Sequence, residues 1–225
     1  MKQRTFSFSG FLKSAGAAGL ALALACALPA LCSCVKKKQP AKALGPSEAD
    51  AVLQQFHDLQ KHLQQDPKDA RAWYDLADIY DQNNVFDKAA DAYRKAAELK
   101  PAGYTYLRLG MCYDALNKPR EAVAAYQRAV KLMPFYAVAF NNLGVAYGKA
   151  GENGNAIASF KKAAKLDPYY PMAKYDLGYA YMKKGDRKGA MEQYRALENL
   201  DQGLAYDLMK KIKSGTKSSG RKAGA

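Results

Sequence analysis

The sequence predicts an all-α protein: an α-solenoid of stacked helical hairpins with a capping helix at each end. Three observations predict it. Leucine recurs at Leu76, Leu109, Leu143 and Leu177, at steps of 33, 34 and 34 residues, and a fixed period of that length marks an array of repeated supersecondary units. Each period holds two segments with apolar residues four apart, such as Leu76 with Tyr80 and then Ala89 with Tyr93; each segment is an amphipathic helix. Between the two segments stand Asn84, Asn117, Gly151 and Gly185, at matching points of each copy. These are the residue types that enter the left-handed conformation closing a helix. One hairpin cannot bury its apolar face alone, so neighbours must stack.

Taken in order, residues 1–33 read as a targeting segment. Lys2, Arg4 and Lys13 precede an uncharged run from Ser14 to Val35, rich in Ala, Gly and Leu. The run is long enough for an uncleaved anchor, since a spanning helix needs about 20 residues, and a secretory cut after Ala27 also fits. Lys36, Lys37 and Lys38 place basic residues on both flanks, so the positive-inside bias does not fix an orientation. Residues 34–46 form a basic tether of Lys, Gln, Pro, Ala and Gly, flexible by composition. Residues 47–66 form the first capping helix, with Ser47 as its cap, Glu48 and Asp50 in its first turn, and Val52, Phe56, Leu59 and Leu63 as its apolar stripe.

Four hairpins follow, at 70–102, 103–136, 137–170 and 171–202. Gly110, Gly144, Gly178 and the small Ala77 are expected opposite the alanines of each second helix, where two backbones approach closely. In the fourth copy Leu197 and Gln202 replace the alanine and proline of the earlier ones and mark a handover to the second capping helix, 203–213. There Leu204, Ala205, Leu208, Met209 and Ile212 recur at helical spacing. Residues 214–225, of Gly, Ser, Lys and Ala, read as a disordered basic tail.

The formal net charge is +14, which on a compact domain would suggest nucleic acid. The excess belongs to the ends of the chain: residues 43–209 carry 22 basic and 21 acidic residues, so nucleic acid is not an expected partner. Within that core, 48–98 hold eleven acids against six basic residues and 99–209 hold ten against sixteen. The array is therefore electrically polar along its length.

Three of the four cysteines lie in the targeting segment and tether, leaving Cys112 in the repeats, which excludes a disulfide framework. Cys112 adjoins Tyr113 on a first helix and is expected to pack. His57 and His62 are five apart, a spacing that does not share a helix face for metal ligation, so no metal site is expected. Ser159-Phe160-Lys161-Lys162 matches S-x-x-K formally, but no S-D-N or K-T-G accompanies it, and no P-loop or nucleophile elbow is present. Neither catalytic activity nor a cofactor is expected.

The repeat resembles the tetratricopeptide family, whose signature is W-x2-L-G-x2-Y…A-x3-F…P. Trp73, Leu76, Ala77, Tyr80, Ala89, Tyr93, Ala96 and Pro101 carry it in the first copy; Tyr106, Leu109, Gly110, Tyr113, Ala122, Tyr126, Ala129 and Pro134 in the second; Phe140, Leu143, Gly144, Tyr147, Ala156, Phe160, Ala163 and Pro168 in the third. The resemblance implies that the first helices line a concave face that binds a peptide or helix of another protein. It assigns that groove to Tyr74, Asp78 and Asp81, then Leu107, Met111 and Asp114, then Asn141, Val145 and Gly148 with Asn142 beside them, then Tyr175, Tyr179 and Met182. Such a lining suits a segment that brings a basic group to Asp78 and Asp81 and apolar side chains to Tyr175, Tyr179 and Met182. The carboxylate clamp of chaperone adaptors is not expected, because Tyr74, Asp78 and Leu107 stand where its lysine, arginine and asparagine are needed.

Leu31-Cys32-Ser33-Cys34 resembles the bacterial lipobox, with Cys32 in place of the usual alanine, serine or threonine. The resemblance implies cleavage before Cys34, diacylglycerol on its sulfur and, with Val35 next, sorting to the outer membrane facing the periplasm. The layout is similar to tetratricopeptide lipoproteins that assist envelope assembly, pilotins among them. A second reading makes Lys36 to Lys42 and Lys210 to Lys222 a grip on anionic lipid or cell wall, with the array as a spacer. The sequence does not fix the oligomeric state.

Overall fold

The computed structural model describes residues 46–219, with side chains described over 50–214. Among the described residues there are ten α-helices and no strand: α1 Pro46–Gln65, α2 Ala70–Gln82, α3 Phe86–Leu99, α4 Gly103–Ala115, α5 Pro119–Leu132, α6 Ala137–Lys149, α7 Asn153–Leu166, α8 Pro171–Lys184, α9 Arg187–Glu198 and α10 Gln202–Ser219. From Ala51 onward they form one unit. The pairs α2/α3, α4/α5, α6/α7 and α8/α9 are the four hairpins, and each hairpin packs on the next. Helices of 12 to 14 residues are marginal alone in water, so this packing is what stabilises them.

The four hairpin turns are built alike. Asn84 and Asn117 have φ of 58° and 55°, and Gly151 and Gly185 both 83°. The next residue's N–H, from Val85, Lys118, Glu152 and Asp186, donates to the carbonyl of Tyr80, Tyr113, Tyr147 and Tyr181, at 2.9 Å in every case. This is the Schellman closure, which satisfies carbonyls a helix end would otherwise leave bare.

The glycines of the first helices face something other than alanine. A Cβ on Gly110 would lie 2.5 Å from Tyr126, one on Gly144 2.5 Å from Phe160, and one on Gly178 2.6 Å from Leu208. In the second and third hairpins the glycine therefore makes room for the aromatic ring of its own second helix. In the fourth, Leu208 of α10 takes that space, and Tyr194 stays half-buried with its hydroxyl donating to Glu198 at 2.6 Å. Tyr93, Tyr126, Leu197 and Leu208 are the largest fully buried side chains, and burying each contributes about 1.5–3 kcal/mol.

Two boundaries move. Helix α1 starts at Pro46, one residue before Ser47; a first-turn proline is tolerated because its missing N–H would have no partner there. Helix α10 runs on to Ser219, past residue 213 where the apolar pattern ends, since elongating a formed helix needs no new nucleus. The targeting segment, Cys34 and the tether through residue 45 lie outside the described residues. Among those described, no helix is long and apolar enough to cross a membrane.

Candidate partner-binding face

Every first helix carries a stripe of residues spaced four and then three along one face, and the stripes of successive hairpins are tied together by polar contacts. Arg108 on α4 reaches back to Asp78 at 3.4 Å and Asp81 at 3.3 Å on α2. Lys149 on α6 reaches Asp114 on α4 at 2.6 Å. Asn141 on α6 donates through Nδ2 to Asp176 on α8 at 2.9 Å.

These contacts correct the expected chemistry of the acidic end. Asp78 also accepts a hydrogen bond from the Tyr93 hydroxyl, and Asp114 one from the Tyr126 hydroxyl at 2.9 Å. Burial, and then the adjoining aspartate, push both phenols above the ordinary tyrosine range, so they remain donors. Asp78, Asp81 and Asp114 thus serve as acceptors within the array, and a basic group from a partner would have to displace Arg108 or Lys149. The acids read as partner ligands because each lies on a first-helix face, while their donors stand 12 to 35 residues away.

Two further groove residues are covered. Leu107 is 6% exposed and Asn141 3%, because the next hairpin packs over them. Tyr74, half-buried, meets the Tyr93 ring edge-on at 5.4 Å. Met111 is exposed, and Asn142 and Val145 are half-buried. Tyr175, Tyr179 and Met182 are half-buried against Leu204, Leu208 and Ile212 of α10, so part of that aromatic surface is spent on the cap. Cys112 is fully buried, and burial pushes its thiol up to about 12. His62 is exposed and bonds Asp69 at 2.9 Å. Among the described residues no cluster of three His, Cys, Asp or Glu is placed to hold a metal ion.

The open part of the face lies between the third and fourth hairpins. A cleft of about 260 Å³ is walled by Gly144, Val145, Gly148, Phe160, Tyr179 and Ala180, with Lys149 and Lys183 at its rim. Val145, Gly148 and Tyr179 belong to the groove the sequence assigns; Phe160, Lys149, Lys183 and Asp176 do not. A larger trough of about 540 Å³ lies between α9 and α10, lined by Tyr194, Glu198, Tyr206, Met209 and lysines. It is off the first-helix face.

One model of the tetratricopeptide repeat matches residues 46–104 and 107–171, and a second such model matches 149–212. The chain belongs to the tetratricopeptide repeat family. Arrays of this family are scaffolds for protein–protein interaction, and this chain carries that architecture. Superkiller complex protein 3 of Homo sapiens is 35% identical over 83 residues, 36% of this chain, and its Mus musculus counterpart is 32% identical over the same length. The match spans 5% of those relatives, so it concerns the repeats alone. Among solved structures, YrrB, described as a tetratricopeptide repeat protein with an unusual peptide-binding site, superposes with a TM-score of 0.66 at 25% identity, covering 73% of this chain and 86% of that one. MamA superposes with a TM-score of 0.62 at 23% identity, over 78% of this chain and 99% of that one, a likeness of fold.

Proposed function

We propose that this tetratricopeptide protein is a non-catalytic adaptor that seats a peptide or helical segment of another protein in the cleft between its third and fourth hairpins. The observation that carries the reading is the cleft itself, where Val145 and Gly148 leave the first-helix face open above Phe160. At about 260 Å³ it is smaller than the roughly 300–1,000 Å³ of small-molecule pockets. It suits one or two apolar side chains of a longer segment. The likeness to YrrB, itself described as having a peptide-binding site, supports a peptide as the occupant.

Gly148→Trp tests the reading. A Cβ at Gly148 meets nothing within 4 Å, so the indole enters the cleft without straining the helix. Peptides selected from a random library on the full-length protein are expected to lose binding to this variant, with its helical circular dichroism unchanged. Undiminished binding would refute the cleft as the seat.

The proposed place of action is the bacterial envelope, with the chain cleaved before Cys34, lipid on that sulfur, and the array standing off the outer membrane on its 34–46 tether. The sequence from Leu31 to Cys34 supports it. An intact mass of protein recovered from bacterial membranes decides it: cleavage before Cys34 plus acyl chains is expected, and a full-length mass would contradict it.

A further inference from the structure

Beside the cleft, two lysines from different helices meet one tyrosine ring. Lys183 Nζ lies 5.0 Å and Lys211 Nζ 4.9 Å from the centroid of the Tyr179 ring. Lys183 is exposed on the rim of the cleft, and Lys211 is half-buried on α10. Among the described residues neither ammonium has a carboxylate oxygen within 4.0 Å. Arg108 and Lys149, on the same face, each hold an aspartate. Two acids lie nearby: Asp176, in the cleft wall, accepts from Asn141, and half-buried Asp207 stands one turn before Lys211 on α10.

We propose that Lys183 and Lys211 together hold a carboxylate of an acidic peptide segment, whose neighbouring apolar side chain fills the cleft. Helix α10 is then part of the binding site as well as a cap. The electron-rich faces of the tyrosine ring attract both cations and hold each close to it. Side chains already held against a ring lose less freedom when an anion arrives. The wider charge agrees, since residues 99–209 hold sixteen basic residues against ten acids. That field draws an acidic segment toward this half of the array. A basic segment has no comparable seat, because Asp78, Asp81 and Asp114 already have partners.

The inference rests on the cleft reading, and one experiment separates the two. Short random peptides displayed on phage are selected on the full-length protein, and the peptides recovered are titrated onto wild type, Lys183→Gln, Lys211→Gln and Gly148→Trp. The recovered peptides are expected to carry Asp or Glu beside an aliphatic or aromatic residue, and to bind more weakly as salt rises. Each lysine variant is expected to weaken them about tenfold, and Gly148→Trp to abolish binding. Recovery without acidic enrichment, or unchanged affinity in both lysine variants while Gly148→Trp still blocks, would overturn the acidic ligand and leave the cleft standing. Binding that survives Gly148→Trp, or recovery of no peptide, would overturn both. Helical circular dichroism confirms that the variants fold.

Discussion

The second and third hairpins differ at two positions that decide what each can do. Tyr126 of the second hairpin corresponds to Phe160 of the third, and Asp114 to Gly148, each pair 34 residues apart. In the second hairpin the phenol crosses from α5 to bond Asp114 on α4, and Lys149 adds its charge from the next first helix. The first hairpin is closed in the same manner by Tyr93, Asp78 and Arg108. In the third, hydroxyl and carboxylate are both gone, and their place is the cleft beside Val145 and Gly148. The same backbone therefore gives a polar lock in its first half and an open apolar seat in its second. The proposed recognition site is where the lock is missing.

Raising the pH should break this contrast most strongly. Burial lifts Cys112 to about 12 and raises Tyr93 and Tyr126 above their ordinary values, and all three lie in the first two hairpins. A raised folded-state pKa contributes stability in full below the unfolded value, and that contribution is lost as pH climbs toward the folded one. Stability should therefore hold to about pH 9 and then fall, by on the order of 1 kcal/mol per pH unit from Cys112 alone. Hydrogen exchange followed by mass spectrometry should show α3 to α5 opening first.

Tyr126→Ala should cost about 3–5 kcal/mol in denaturant unfolding, as truncation of a buried aromatic does. Asp114→Ala should cost about 1–3 kcal/mol, because the buried Tyr126 hydroxyl loses its acceptor and Lys149 its partner. Moving the lock sharpens the comparison: Phe160→Tyr with Gly148→Asp should give a favourable coupling of about 1 kcal/mol in a double-mutant cycle and should close the cleft to peptide. The smallest effect belongs to Arg94→Ala. Its pairs with Asp91 and Glu98 are exposed, so the change should stay within about 0.5 kcal/mol.

The array was legible in the sequence because it rests on local signals. Leucine spacing and the turn residues from Asn84 to Gly185 act within one helix or one hairpin, and all four turn residues adopt the left-handed backbone. The site was less so, because side chains distant in sequence decide it. Asp78, Asp81 and Asp114 looked available until Tyr93, Tyr126, Arg108 and Lys149 reached them from other helices. Leu107 and Asn141 keep the groove's spacing, but the next hairpin covers them. One signal was present and informative: the third copy alone pairs a phenylalanine with Val145 and Gly148, where the first two pair tyrosines with acids. Lys211 had no such signal, since it joins Tyr179 only when α10 folds back on α8.

Hydrogen exchange of the full-length protein with and without a library-selected peptide tests the central claim most directly. The account predicts protection on binding in residues 141–149 and 175–183, with a smaller effect around Lys211. Protection centred on Asp78, Asp81 and Asp114, with 141–149 and 175–183 unchanged, would contradict it.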